Sequence, residues 1–336
     1  MMQFRTIRAV LLAAVALTVA PAAQSAEKFP TRPVRMIVPY APGGATDIVS
    51  RALAQKLTDQ MGQSVVIDNR SGAAGSIGSA IAASANPDGY TALIISSTYT
   101  INPSLYQKLP FDPVRDLKPV TQIASSPFLL LVHPSLPVKT TRELIALAKT
   151  RNLTFGSGGI GSSGHLAAEL FASMAGVTLT HVPYKGAGPA LIDTLAGQVN
   201  MLLSSIVSGM PYAKSGRLRA LAITTSKRSA AWPDLPTVSE SGLKGYESLA
   251  WYGIVAPAGM PRAFVARLNA ELNRALAGRN FGWPLRSYGC PYGSVGGNEG
   301  CRVRGGTHAP AFTEPVSTWV PSVSPSGLAF YTGDRY

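Results

Sequence analysis

An α/β protein of two lobes, joined by crossing segments and divided by a cleft, is the architecture the sequence predicts. Short apolar strands alternate with amphipathic helices along most of the chain, the pattern of a sheet covered by helices. Glycine-rich loops recur where a strand ends and a helix begins. At 336 residues the chain is long enough for two domains.

The first strand is expected over 34–38, and Pro39-Tyr40-Ala41-Pro42-Gly43-Gly44 turns the chain out of it. Thr46 or Asp47 can cap the next helix, which runs to residue 61 with Ile48, Val49, Ala52, Leu53 and Leu57 on one face. A second strand over 64–68 enters a second glycine loop, 70–76. A small-residue helix over 77–85 leads to a strand over 90–95 and then a polar loop, 96–103. A second unit begins near Gln122, with strands over 127–132, 153–155, 179–182, 199–203 and 220–224. Helices over 140–150, 165–175, 189–195 and 206–215 separate them, and a Gly/Ser loop fills 156–164. The chain then returns, with a strand over 251–255 and a helix over 262–277. The expected organisation is a signal peptide (1–26), lobe 1 (27–122), lobe 2 (123–225), the return of lobe 1 (226–278) and a poorly ordered Gly/Pro-rich tail (279–336).

Apolar residues make up 46% of the chain and charged residues 14%. That apolar share is the globular norm and excludes disorder over the whole length. The net charge of +13 invites a nucleic-acid partner, but the distribution argues against one. Residues 27–278 hold 23 basic and 14 acidic side chains, and nowhere do three Lys or Arg stand together. No basic tract is available to follow a phosphate backbone. A diffuse positive charge suits a small anionic partner.

The N-terminus reads as an export signal. Arg5 and Arg8 precede an apolar core from residue 9 to 20, Pro21 breaks it, and Ala22 to Ala26 offer small residues for cleavage near Ser25 or Ala26. Twelve residues are too few to span a bilayer, which takes about 20. Cys290 and Cys301 are the only cysteines, so the first 289 residues fold without disulfides. His133, His165, His181 and His308 are scattered without metal-ligand spacing, so no metal site is expected; no other cofactor is expected either.

Four loops follow strands and precede helices: 41–47, 71–76, 156–164 and 184–188. In open α/β sheets ligands bind at that edge. Helix N-termini there present unpaired N–H groups and partial positive charge, and glycine lets a ligand approach the backbone. Gly156-Ser157-Gly158-Gly159-Ile160-Gly161 fits the dinucleotide pattern G-x-G-x-x-G, yet the stretch 178–182 holds no acid for a ribose. No G-x-S-x-G pentapeptide is present. Ser157, Ser162 and Ser163 therefore read as hydrogen-bonding groups, and His165 lacks an evident acid to orient it.

The motifs Pro33-Val34-Arg35-Met36-Ile37-Val38-Pro39, Ala41-Pro42-Gly43-Gly44-Ala45-Thr46-Asp47 and Asp68-Asn69-Arg70-Ser71-Gly72-Ala73-Ala74-Gly75 form an ordered series. It continues with Asn86-Pro87-Asp88-Gly89-Tyr90-Thr91, His181-Val182-Pro183-Tyr184-Lys185-Gly186 and Gly216-Arg217-Leu218-Arg219-Ala220-Leu221-Ala222. Together they resemble the substrate-binding proteins of tripartite tricarboxylate transporters, the Bug family, from about residue 29 to 277. The resemblance implies a periplasmic type II binding-protein fold, no enzymatic activity, a small carboxylate ligand and a membrane permease as partner. A monomer is expected, with no nucleic-acid partner. The resemblance also implies a binding site made of Gly43, Gly44, Ala45, Thr46 and Asp47 in the first loop and Ala73, Ala74 and Gly75 in the second. Ser97 and Thr98 follow the third strand, and Gly158, Ser162, Ser163, Tyr184, Lys185 and Gly186 supply the second-lobe side. Two roles stay open for Asp47, helix capping or binding a ligand ammonium. Ser204 completes the expected ligand-binding set; many members place an acid or amide where this chain has Ser204-Ser205, which favours a plain carboxylic acid, such as a di- or tricarboxylate or an aromatic acid, over an amino acid. The alternatives are a secreted serine hydrolase using the second-lobe Ser/His loop and a binding protein for another small anion.

The tail departs from the family. Residues 279–336 hold 10 Gly, 6 Pro and two Leu, with no helical period. An altered reading frame from near Gly278 is the expectation, and a lineage-specific extension is the alternative.

Overall fold

The computed structural model describes residues 29–230 and 232–277. The expected signal peptide, its expected cleavage near Ser25–Ala26, and the tail with Cys290 and Cys301 lie outside the described residues. Of a first compact unit, Met1–Thr31, only residues 29–31 are described. The second unit starts at Arg32 and carries everything below.

Strand β1 (Val34–Val38) lies between β2 (Val65–Asn69) and β3 (Thr91–Ser96), all parallel. An antiparallel strand, β9 (Leu249–Pro257), closes this group against β3. Strand β4 (Leu117–Val132) pairs antiparallel with β9 along its first part. From Phe128 it changes partners to β7 (Met201–Ser205) and β8 (Arg219–Ile223). Strands β5 (Leu153–Ser157) and β6 (Leu179–Pro183) extend that second group in parallel. The spatial order is β2-β1-β3-β9-β4-β7-β5-β6, with β8 on β4. The fold is thus a bilobed α/β one whose two groups of strands share a single long strand.

Leu129, Leu130 and Leu131 are fully buried where β4 runs through the second group. A strand covered on both faces shows such an unbroken apolar run, and each fully buried leucine contributes roughly 1.5–3 kcal/mol. The expected strand over 127–132 is ten residues longer at its start. Pro119 and Pro127 read as breaks, but pairing slips between Pro119 and Thr121 and between Gln122 and Ala124. Such irregularities let a strand tolerate proline.

The helices are α1 (Ala45–Met61), α2 (Ser76–Ala83), α3 (Thr98–Leu105), α4 (Thr141–Thr150), α5 (Ser163–Ala175), α6 (Ala187–Leu195), α7 (Ile206–Lys214) and α8 (Arg262–Ala277). Several start at legible caps. Thr140 Oγ1 accepts from Glu143 N–H at 3.2 Å, and Glu143 Oε2 reaches back to accept from Lys139 N–H at 2.6 Å. The pair behaves as a capping box displaced by one residue. Two expectations need correction. Helix α1 is capped by the extended Gly44, so neither Thr46 nor Asp47 occupies the cap position. Residues 98–105 form α3 where a polar loop was expected. Their helical state is paid for by burial, since Tyr99 and Ile101 enter the core and Tyr99 donates its hydroxyl proton to Pro113 C=O at 2.5 Å.

Candidate functional site

The connections after β1, β2, β5 and β6 converge between the lobes. Together with Tyr106 at the end of α3 they form an open cavity of about 190 Å³ lined by Tyr40, Gly72, Ala73, Ala74, Gly75, Tyr106, Gly158, Gly159, Ile160, Pro183, Tyr184 and Lys185. The lining holds one cation, Lys185, and no acid. Backbone makes up much of the wall. Gly72, Ala73, Ala74 and Gly75 all have positive φ, and Ala73 (45°) and Ala74 (49°) are the non-glycine residues in that state among the described residues. Holding an L-residue there costs on the order of 1–3 kcal/mol, and such strain concentrates at ligand clamps. Helix α2 sits so tightly behind this loop that a Cβ on Gly78 would lie 2.8 Å from Arg70 O and from Pro39 Cα.

Two of the three cavity tyrosines, Tyr40 and Tyr184, have engaged hydroxyls. Tyr40 shares a hydrogen bond with Ser96 Oγ at 3.0 Å. Burial raises the Tyr40 pKa against the opposing bonds from Ser96 and Thr98. Tyr184 donates to Asp193 Oδ2 at 2.6 Å, and burial together with that carboxylate pushes its pKa up to about 12.

Of the residues expected at the site, Ala73, Ala74, Gly75, Gly158, Tyr184 and Lys185 line the cavity. The others stand around it. Gly43 and Gly44 face Gly188 across the cleft, and Gly186 faces Ala41. Ala45, Thr46 and Asp47 are buried in the first turn of α1. Asp47 Oδ2 accepts from Gly43 N–H at 3.1 Å and Arg51 Nε–H at 3.0 Å, while Oδ1 accepts from Asn69 Nδ2 at 2.9 Å and pairs with Arg51. Burial pushes this carboxyl up, but the bonds from Arg51, Asn69 and Gly43 outweigh it and hold the pKa below the usual carboxylate value. Ser97 and Thr98 are buried at the head of α3, Thr98 Oγ1 accepts from Ser163 N–H at 3.3 Å, and Ser162 caps α5 through His165 N–H. Ser204 lies within β7 and turns its hydroxyl to Ser208 of α7 at 3.1 Å. Its neighbour Ser205 points the other way, to Ser126 Oγ at 2.7 Å, as strand alternation requires.

Sequence reasoning missed Tyr40, Gly72, Tyr106, Gly159, Ile160 and Pro183 as lining. Three of these, Gly72, Gly159 and Pro183, adjoin named site residues. It also missed a serine–histidine contact, Ser157 Oγ to His181 Nε2 at 2.6 Å. His181 stacks on His165 (4.0 Å between centroids) and on Phe155 (4.8 Å). Burial, then His165, lowers its pKa to about 4, so it is a neutral ring and a weak base at pH 7. Ser157 is buried. His165 Nδ1 meanwhile accepts from Gly161 N–H at 3.2 Å, so both rings brace the loop that carries Gly158 and Ile160. Among the described residues no cluster of three His, Cys, Asp or Glu could hold a metal, and no helix is long and apolar enough to cross a membrane.

Two α/β lobes that share a long strand and aim glycine loops at one cavity define a solute-binding protein of the type II periplasmic class. A family profile described as "Tripartite tricarboxylate transporter family receptor" matches residues 49–291. The chain belongs to that family. It is 38% identical to protein BugT of Bordetella pertussis over 274 residues, covering 79% of this chain and 84% of that one. The solved structure of the periplasmic binding protein BugD is similar at 36% identity and a TM-score of 0.72, over 74% of this chain and 84% of that one. Rpa4515 of R. palustris, solved with adipate, is similar at 40% identity and a TM-score of 0.71, over 74% and 83%. A second profile, described as "Glucose / Sorbosone dehydrogenase", matches residues 266–336, of which the structure describes only the last part of α8.

Proposed function

We propose that the protein captures a small carboxylate in the periplasm and delivers it to the membrane permease of a tripartite transporter, with no chemistry performed on it. The observation that carries this reading is the cavity wall: backbone of two glycine loops, one lysine and no carboxylate side chain. Such a wall binds an anion through N–H groups and bridging water. Rpa4515, which is 40% identical, binds adipate. Asp47 is spent on its own lobe and Ser204 faces α7, which leaves a ligand ammonium without a carboxylate partner from either position. The ligand class is a di- or tricarboxylate or an aromatic acid. The mature protein begins near Ala26, acts as a monomer, and closes lobe 1 (27–122 and 226–278) on lobe 2 (123–225).

Calorimetric titration of the mature chain with a panel of dicarboxylates, citrate, aromatic acids, acidic amino acids, phosphate and sulfate tests this. Saturable heat with a carboxylate and no turnover is expected, and a ligand at 100 times its Kd adds about 2.7 kcal/mol of stability. A folded protein that responds to phosphate or sulfate alone sinks the carboxylate assignment.

A further inference from the structure

Gly188 is the second residue of α6, yet the space a side chain would need there belongs to the other lobe. A Cβ on Gly188 would collide with the carbonyl oxygen of Pro42 and lie 3.0 Å from Gly44 N and 3.1 Å from Gly43 C. A Cβ on Gly186 would lie 2.9 Å from Ala41 N. Beside them Ala41 N–H donates to Lys185 C=O at 3.0 Å, a backbone hydrogen bond that crosses the cleft. Gly158 differs, since the nearest atoms to its Cβ position are Ala187 and Gly186 of its own lobe.

We propose that 41–44 and 185–188 form a backbone latch that closes the lobes, and that Gly188 is the positioning residue that lets it shut. Gly188 is not among the residues lining the cavity. Its missing side chain does nothing for α6, which would gain up to about 1 kcal/mol of helix propensity from alanine. What it permits is contact between two main chains. When the latch is shut, Ala74 Cα comes within 4.0 Å of the Cβ position of Gly159, so the strained loop of one lobe meets the glycine loop of the other. The latch consists of protein atoms alone and therefore draws the lobes together before a ligand arrives. Apparent affinity then scales with the closed fraction. The occupant's chemistry does not enter, so the inference goes beyond the carboxylate reading and does not rest on it.

Small-angle X-ray scattering and thermal melting of the ligand-free mature chain, wild type against Gly188→Ala, with calorimetric titration by adipate, test the latch. The variant should show a larger radius of gyration, an equal or higher melting temperature and an adipate Kd weakened about tenfold, as a closed fraction cut to about one in ten requires. Ile192→Ala, exposed on the same helix, should leave all three readings unchanged. Equal ligand-free radii for wild type and Gly188→Ala overturn the latch, whether or not adipate binds. A lower melting temperature with an unchanged radius assigns Gly188 to packing within its own lobe and overturns it as well. A wild type silent towards adipate removes that ligand while the scattering comparison still decides.

Discussion

Ser157 Oγ lies 2.6 Å from Nε2 of His181, directly behind the loop that lines the cavity. The contact ties that loop to two stacked histidine rings, and it has a pH signature. His181 titrates near 4 in the folded protein, against about 6.5 in an unfolded chain. Between those values the unfolded state binds more protons, so stability rises with pH. It should fall as pH is lowered from about 6.5 and level off below about 4. His165, lowered chiefly by burial, acts in the same direction. Melting temperatures from pH 4 to 7 should show this slope, and His181→Gln should flatten it. A wild-type profile flat over that range would rule out a neutral histidine pair.

The Asp47 network predicts a separable defect. Asp47→Asn keeps the shape but loses charge-assisted bonds from Arg51 and Gly43, each worth roughly 1.5–3 kcal/mol. Because Arg51 is about half exposed, the smaller figure applies. Urea denaturation should show a loss of about 1–3 kcal/mol, while the Kd for a carboxylate changes little. A variant of unaltered stability that no longer binds ligand would instead place Asp47 in the site.

Strain at Ala74 makes a prediction of the opposite sign. Relief of a left-handed alanine is worth roughly 1–2 kcal/mol, and the added freedom of glycine in the unfolded chain takes back about 0.4–1. Ala74→Gly should therefore stabilise the protein by about 0.5–1 kcal/mol in chemical denaturation. Ligand binding should weaken, because the loop is no longer held in its working shape.

Much of the fold is legible from local signals. Helix α8 runs over the residues its periodicity marks, and α4 starts at the threonine whose spacing to Glu143 announces a cap. Helix α3 is illegible because its reason is tertiary. Ser97, Thr98 and Asn102 are polar yet buried, and Pro103 inside it reads as a stop. The glycine loops of the site show in sequence, but Tyr40, Tyr106 and Ile160 become walls only where two distant segments meet. The Ser204–Ser205 choice turns on strand parity, and the expected strand ends at residue 203, before both serines, so it assigns neither of them a face.

Lys185 is the cation of the cavity wall, and its side chain is exposed. An exposed charge steers an anion more than it holds one, because water and salt screen it. Lys185→Ala leaves the Ala41–Lys185 main-chain bond intact, since only the carbonyl oxygen takes part. Closure should therefore survive, and the loss should fall mainly on the association rate. A several-fold decrease in kon for a dicarboxylate is expected at low ionic strength. It should shrink towards no difference at 1 M salt, where the Debye length is about 3 Å. Lys185→Glu should deepen the decrease at low ionic strength and steepen its salt dependence, since the charge changes by two. Stopped-flow kinetics at three ionic strengths measures both. A salt-independent loss carried by koff would show instead that the ammonium of this wall residue holds the bound carboxylate directly and does more than steer it.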